Sequence, residues 1–170
     1  ESGAAAAVSE YQVEDCPCVV VKDTRKALLD IAAYYRRKFL PILVGVTGSV
    51  GKTTTKEMIA LVLSEKYNTL KTQGNFNNEI GLPKTLFNLD SSYQAAVIEM
   101  GMSHFGEIER LSRTASPTMG VITNIGFSHI ENLKSQDGIL QAKLEILKGM
   151  ADKAPLVVNG DDERLSQLKT

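Results

Sequence analysis

The sequence predicts an α/β fold, a mainly parallel β-sheet flanked by helices. Two patterns lead there. Short apolar runs alternate with amphipathic segments along the whole chain, the rhythm of crossover units in which a helix returns the chain to the same end of the sheet. The make-up agrees: 170 residues, 43% apolar and 23% charged, suffice for one globular domain with a small appendage.

The apolar runs that qualify as strands are residues 4–8, 18–21, 42–47, 68–71, 95–100, 119–122 and 156–158. The first helix begins after Asp23 and Thr24, either of which can cap it, and its spacing puts Leu28, Ile31, Ala32, Tyr35 and Phe39 on one face. Pro41 stops it, and the basic run 36–38 suits its C-terminal end. A buried-type strand follows directly, so a domain boundary is expected near Leu40, with residues 1–39 a remnant of one domain and 40–170 the body of the next. The chain lacks an initiator Met and stops at Thr170, where a new helical pattern starts, so both ends read as cuts in a longer polypeptide.

A formal net charge of -1, with neither sign dominating any long stretch, gives no surface suited to nucleic acid or to an anionic membrane. Affinity for a polyanion must then come from one local site. Cys16 and Cys18 flank Pro17, a spacing that suits neither a disulfide framework nor a four-ligand zinc site, so a reducing, cytoplasmic setting is expected. No apolar stretch reaches membrane-spanning length, and the alanines at 4–7 are too few for a signal-peptide core.

The local site is legible at residues 42–56, Ile-Leu-Val-Gly-Val-Thr-Gly-Ser-Val-Gly-Lys-Thr-Thr-Thr-Lys. An apolar strand passes there through a glycine-rich turn into a helix whose apolar stripe includes Met58, Ile59 and Leu63. Gly48 and Gly51 let the backbone curl so that successive N–H groups point inward, the helix N-terminus adds positive potential, and Lys52 supplies a mobile cation for the outer phosphates of a nucleotide. Thr53 offers a hydroxyl to magnesium, and Thr47, Ser49 and Thr54 complete the nucleotide-binding segment. Val46 stands where the longer form of this motif has glycine, so the match is to a shorter variant, Gly-x-x-Gly-Lys-Thr.

Further landmarks follow, the first two at or near a strand's carboxyl end, where parallel sheets bind ligands, and the third on a helix. Glu99 closes the run 95–100 and can hold magnesium beside the phosphates. His129 lies in the loop after 119–122 and can bind a metal through a neutral ring nitrogen, whereas His104 reads as an ordinary surface or core residue. A helix over 137–150 puts Ile139, Lys143, Ile146 and Met150 on one stripe, with Leu140, Leu144 and Leu147 beside it. Lys143 interrupts that apolar face. From periodicity alone it is a lysine snorkelling at the edge of a core, although desolvation also lowers a lysine pKa, and a neutral amine can take up carbon dioxide to form a carbamate.

Taken in this order, the loop, Glu99, His129 and Lys143 resemble the central domain of the Mur ligases, which build the peptide of bacterial cell-wall precursors. The resemblance covers nearly the whole chain. It implies a fold like that of P-loop nucleotide hydrolases, ATP as cosubstrate and two magnesium ions, the first served by Thr53 and Glu99 and the second by His129 and Lys143. Lys143 matches a lysine that is carbamylated in the family, which reverses the reading from periodicity. Residues 72–86, Thr-Gln-Gly-Asn-Phe-Asn-Asn-Glu-Ile-Gly-Leu-Pro-Lys-Thr-Leu, resemble the signature of the branch that adds D-alanyl-D-alanine. By that resemblance Asn75, Asn77 and Asn78 face a UDP-muramoyl tripeptide. Composition alone makes the same stretch an Asn/Gly turn. The implied protein is a monomer that works on small molecules, and residues 1–8 and 19–28 resemble the end of the domain that receives the uridine nucleotide.

Two other readings compete. A sister ligase such as a folate-glutamate ligase shares the loop and metal residues, but the amide-rich segment 75–78 argues against it. A P-loop switch that hydrolyses nucleotide to change shape leaves Lys143 without a task, and the Asn-Lys-x-Asp motif of GTP-specific switches is absent.

Overall fold

The structure, a computed structural model, describes residues 3–168. Strands β1 (Ala7–Ser9) and β2 (Cys18–Val20) pair in parallel as a separate two-stranded sheet. The predicted strand 4–8 is therefore displaced: pairing starts at Ala7, opposite Cys18, and the preceding alanines, with little strand preference, stay outside it. Helix α1 (Thr24–Arg36) follows, capped by the Asp23 side chain, which accepts from the Lys26 N–H. Then come β3 (Ile42–Thr47), α2 (Lys52–Ser64), β4 (Thr69–Lys71), α3 (Gly81–Leu86), β5 (Ala95–Glu99), α4 (Glu107–Ala115), β6 (Met119–Ile122), α5 (Ile130–Leu133), α6 (Gln136–Leu144) and β7 (Leu156–Val158).

Strands β3 to β7 form one wholly parallel sheet in the order β4-β5-β3-β6-β7. Its register pairs Val46 with Glu99 and Thr47 with Ile122, so the carboxyl ends of β3, β5 and β6 reach the same edge. Alternation along β3 sends Leu43 to one face and Val44 and Val46 to the other. The first face carries the larger core, where Leu82, Leu86, Ile108, Leu111, Ile139 and Ile146 from the helices meet Ala96, Ile98 and Ile122. The second is covered by α2, with Ala60 packed on Val44, Val46, Val97 and Val121.

Several helix faces differ from the periodic reading. In α1 the buried positions are Leu29, Ala32 and Arg36, with Tyr35 and Phe39 packed beside them, while Ile31 stays 46% exposed. Arg36 does stand in the last turn, as the basic run suggested, but it is buried, donating from Nε to the Ala115 carbonyl and from its terminal nitrogens to those of Phe39 and Ser116. In α2 Ile59 and Leu63 of the expected stripe pack with Ala60 against the sheet and Lys56 is buried beside them, but the side chain of Met58 is exposed. The helix expected over 137–150 is α6 followed by a tighter 3-10 turn, Glu145–Gly149. Tightening occurs where the chain runs onto α4: a Cβ on Gly149 would meet Ser112 backbone at 2.1 Å, and the Ser112 hydroxyl donates to the Ile146 carbonyl. No helix among the described residues is long and apolar enough to cross a membrane.

Candidate active site

The turn between β3 and α2 needs glycine at two places. Gly48 has φ +151° and approaches β6 so closely that a Cβ would sit 1.8 Å from the Thr123 hydroxyl. Gly51 enters α2 at φ +77°, in the left-handed region. The turn is clasped by the loop that follows β6. Asn124 Oδ1 accepts from the N–H groups of Ser49 (3.1 Å) and Val50 (3.0 Å), the Thr123 hydroxyl donates to the Val50 carbonyl (2.6 Å), and the Gly126 N–H donates to Ser49 Oγ (2.9 Å). Lys52 folds back over the turn, donating to the Gly48 carbonyl at 2.9 Å. Burial pushes its ammonium pKa down, partly countered by the nearby Glu99 carboxylate. Thr47, at the end of β3, is fully buried with its hydroxyl unpaired among the described residues, and Thr54 is exposed on the first turn of α2.

Glu99 is buried at the end of β5. Its Oε2 accepts from the Thr53 hydroxyl at 2.9 Å, its Oε1 accepts from Asn77 Nδ2 at 2.8 Å, and its own N–H donates to Thr72 Oγ1 at 3.0 Å. A carboxylate paired with a hydroxyl at the mouth of a phosphate-binding turn is an oxygen donor set that fits a small hard cation. Among the described residues no three His, Cys, Asp or Glu side chains converge on one point. A cation here would therefore draw part of its shell from the phosphates themselves.

Lys52, Asn77, Asn78, His129 and Lys143 line one cavity of about 330 Å³, together with Gly48, Ser49, Gly101 to Ser103 and Ser128. His129 is exposed at its mouth, at φ +61° just before α5. Lys143 is only 3% exposed, and burial, reinforced by the charge of Lys52, pushes its pKa from 10.5 to about 7. A substantial fraction of the amine is therefore neutral near pH 7. Helix α6 thus delivers Lys143 into the cavity rather than to a core edge. The asparagines divide: Asn77 serves Glu99, Asn78 Oδ1 accepts from the Ile80 and Gly81 N–H groups at the start of α3, and Asn75 sits exposed on the turn outside the cavity wall.

A larger groove of about 740 Å³ lies between α1 and α4. Its charges include Lys26 paired with Asp30, and Arg110 paired with Glu79; none of the sequence-predicted site residues lines it. The smaller cavity is the chemically equipped one. Reading the sequence alone missed two of its supports. Asn124 follows a strand end as a polar residue should, but nothing in the sequence tells which backbone it grips. Lys56 is 1% exposed, and its signal was its spacing, since it falls with Ala60 and Leu63 on one stripe of α2.

The sequence profile of the Mur ligase middle domain matches residues 46–170. Over 169 residues the chain is 46% identical to a UDP-N-acetylmuramoyl-tripeptide–D-alanyl-D-alanine ligase of Bacillus subtilis (strain 168), covering 97% of this chain and 37% of that one. The structure of a MurF ligase from Thermotoga maritima in complex with ADP superposes with a TM-score of 0.90 at 35% identity, covering 97% of this chain and 39% of the other. A MurF structure from Acinetobacter baumannii gives 0.88 at 37% identity, over 97% and 36% of the two chains. The chain thus spans somewhat more than a third of the length of these relatives.

Proposed function

Because the chain belongs to the Mur ligase family, we propose that it is the nucleotide-binding part of an ATP-dependent ligase that joins D-alanyl-D-alanine to UDP-N-acetylmuramoyl-tripeptide. The observation that carries this reading is the gathering of Lys52, His129 and Lys143 around one cavity, with Glu99 tied to it through Asn77. The names of the relatives supply the substrates.

The chemistry follows from the side chains. The terminal carboxylate of the tripeptide attacks the γ-phosphorus of ATP, the bond to the β-phosphate oxygen breaks, and ADP leaves. The resulting acyl phosphate is attacked by the amine of the dipeptide, which loses a proton as inorganic phosphate departs and the amide forms. Phosphoryl transfer needs positioning and charge stabilisation more than covalent help from the protein. Lys52 swings from the Gly48 carbonyl to the β- and γ-phosphates, while the N–H groups of residues 51 to 53, beyond those of Ser49 and Val50 that Asn124 holds, face the β-phosphate. Thr53 and Glu99 would hold one magnesium ion, and His129 with Lys143, the latter as a carbamate, would hold a second. Bound there, magnesium offsets the phosphate charge and aligns the attacking carboxylate. The depressed pKa of Lys143 supports carbamate formation, since only the neutral amine reacts with carbon dioxide. Asn78 faces the substrate from the cavity wall, and Asn75 from the turn beyond it. ATP and a uridine nucleotide as substrates fit a cytoplasmic reaction.

The test is phosphate release by the full-length ligase carrying this domain. It is expected with ATP, the tripeptide and D-alanyl-D-alanine together, and not when single amino acids replace the dipeptide. Equal turnover with glutamate would instead favour a folate-type ligase.

A further inference from the structure

Lys56 has no place in the chemistry above, yet it is among the most deeply buried side chains of the molecule. It lies one helical turn beyond Lys52 on the sheet-facing side of α2 and is 1% exposed. A buried ammonium is costly to desolvate, and an apolar side chain of similar length would fill the same space without that cost. Its partners give the reason for a charge. Nζ donates to the Thr72 carbonyl at 2.8 Å, pairs with Glu57 at 3.0 Å, and lies 4.0 Å from Glu99 Oε2. Among the described residues it is the one cation within ion-pair distance of Glu99, which is itself 2% exposed.

Thr72 closes the arrangement. Its hydroxyl accepts from the Glu99 N–H, its own N–H donates to the Val97 carbonyl, and it is the last ordered step before the turn that carries Asn75, Asn77 and Asn78. One ammonium therefore touches both the carboxylate at the end of β5 and the root of the amide-rich turn leaving β4. Asn77 then returns from that turn to the same carboxylate.

We propose that Lys56 is a positioning residue of the ligase site, offsetting the buried charge of Glu99 and fixing, through Thr72, the turn that presents Asn77 and Asn78. The proposal rests on the reading of Glu99 as a metal-binding carboxylate. It predicts that the substrate turn depends on Lys56 through Thr72, whereas the phosphate turn is held separately by Asn124, Thr123 and Gly126, so that loosening Lys56 weakens substrate capture more than nucleotide binding.

The experiment is a double-mutant cycle on this chain with Lys56→Met and Glu99→Gln, read as urea midpoints, with amide exchange followed over residues 73–78. Each single change is expected to lower the midpoint, and the double variant to stand above the Lys56→Met single, because no uncompensated buried charge remains. Exchange over 73–78 is expected to quicken about tenfold or more in Lys56→Met and to stay unchanged on the far side of the sheet, in α4. Simply additive losses, or unaltered exchange in the turn, would overturn the proposal. Should Lys56→Met not fold alone, recovery of folding on adding Glu99→Gln carries the same information, and failure of both counts against it. In the full-length ligase, the KM for the tripeptide should rise about fivefold or more with little change in that for ATP. Equal effects on both would also overturn it. Because the cycle and the exchange need no turnover, a ligase reading that failed would leave them readable.

Discussion

Replacing Lys143 by Met should stabilise the fold, and by an amount that depends on pH in a calculable way. The side chain is buried and its pKa falls from 10.5 to about 7, chiefly through desolvation and then through the charge of Lys52. In the unfolded chain the lysine stays protonated up to its ordinary value, so folding releases a proton at any pH between those limits. The unfolded state then binds more protons, and stability rises as pH climbs from about 7 toward 10.5. Below pH 7 the fold carries the full cost of the buried ammonium, a ceiling of roughly 5 kcal/mol for a shift of this size. Methionine has nearly the same length and no charge, so the variant lacks this pH dependence. Urea unfolding in carbonate-free buffer should show the variant ahead at pH 6, with its lead shrinking by about 2.5 kcal/mol by pH 9. Adding bicarbonate at pH 8 should then raise the unmodified protein only. A lead that stays constant within about 0.5 kcal/mol across this range would refute the placement of Lys143 as a desolvated amine.

Three further outcomes follow from individual contacts. Gly48→Ala should cost about 2 kcal/mol or more in urea unfolding and abolish ATP binding by the full-length ligase, because a Cβ lands 1.8 Å from the Thr123 hydroxyl at a φ that alanine rarely adopts. Glu145→Ala should cost about 1–2 kcal/mol in the same assay, since both its oxygens accept from the Gly106 N–H and one also from the Glu109 N–H, capping α4 where no nearer side chain does. Lys52→Ala in the full-length ligase should leave the urea midpoint nearly unchanged while removing phosphate release; near-normal turnover would take Lys52 out of the mechanism.

The parts of this fold that were legible in the sequence are those with a local cause. Strands β3, β6 and β7 stand where apolar runs said they would: the inner strands β3 and β6 because a strand covered on both faces must be largely apolar, and the edge strand β7 by its short apolar run although Val157 is half exposed. The phosphate turn was legible because only glycine meets its backbone demands, whereas the period of 3.6 marked Lys143 as an interruption of an apolar face but put it at a core edge, and only the family resemblance pointed to the site. What could not be read depends on partners distant in the chain. Ile31 and Met58 looked like core and are exposed, since an apolar residue declares a preference but not the face its helix will turn inward. The burial of Arg36 and Lys56 was not legible either, because the carbonyls that accept their hydrogen bonds lie 79 and 16 residues further along the chain. The same holds for the amide-rich segment: that Asn77 would turn to Glu99, and Asn75 away from the cavity, depends on how β4 and β5 lie side by side.

On the proposed reading, the phosphate turn, Glu99 at the end of β5, His129 just before α5 and Lys143 of α6 share one metal-dependent site. Anomalous diffraction from crystals of the full-length ligase with manganese and a non-hydrolysable ATP analogue measures this directly. Two peaks are expected, one either within about 2.5 Å of Thr53 Oγ1 or Glu99 or joined to them by a single bridging water, and one within about 2.5 Å of His129 and the modified Lys143. Manganese bound elsewhere, with Glu99, His129 and Lys143 all left without it, would contradict the account.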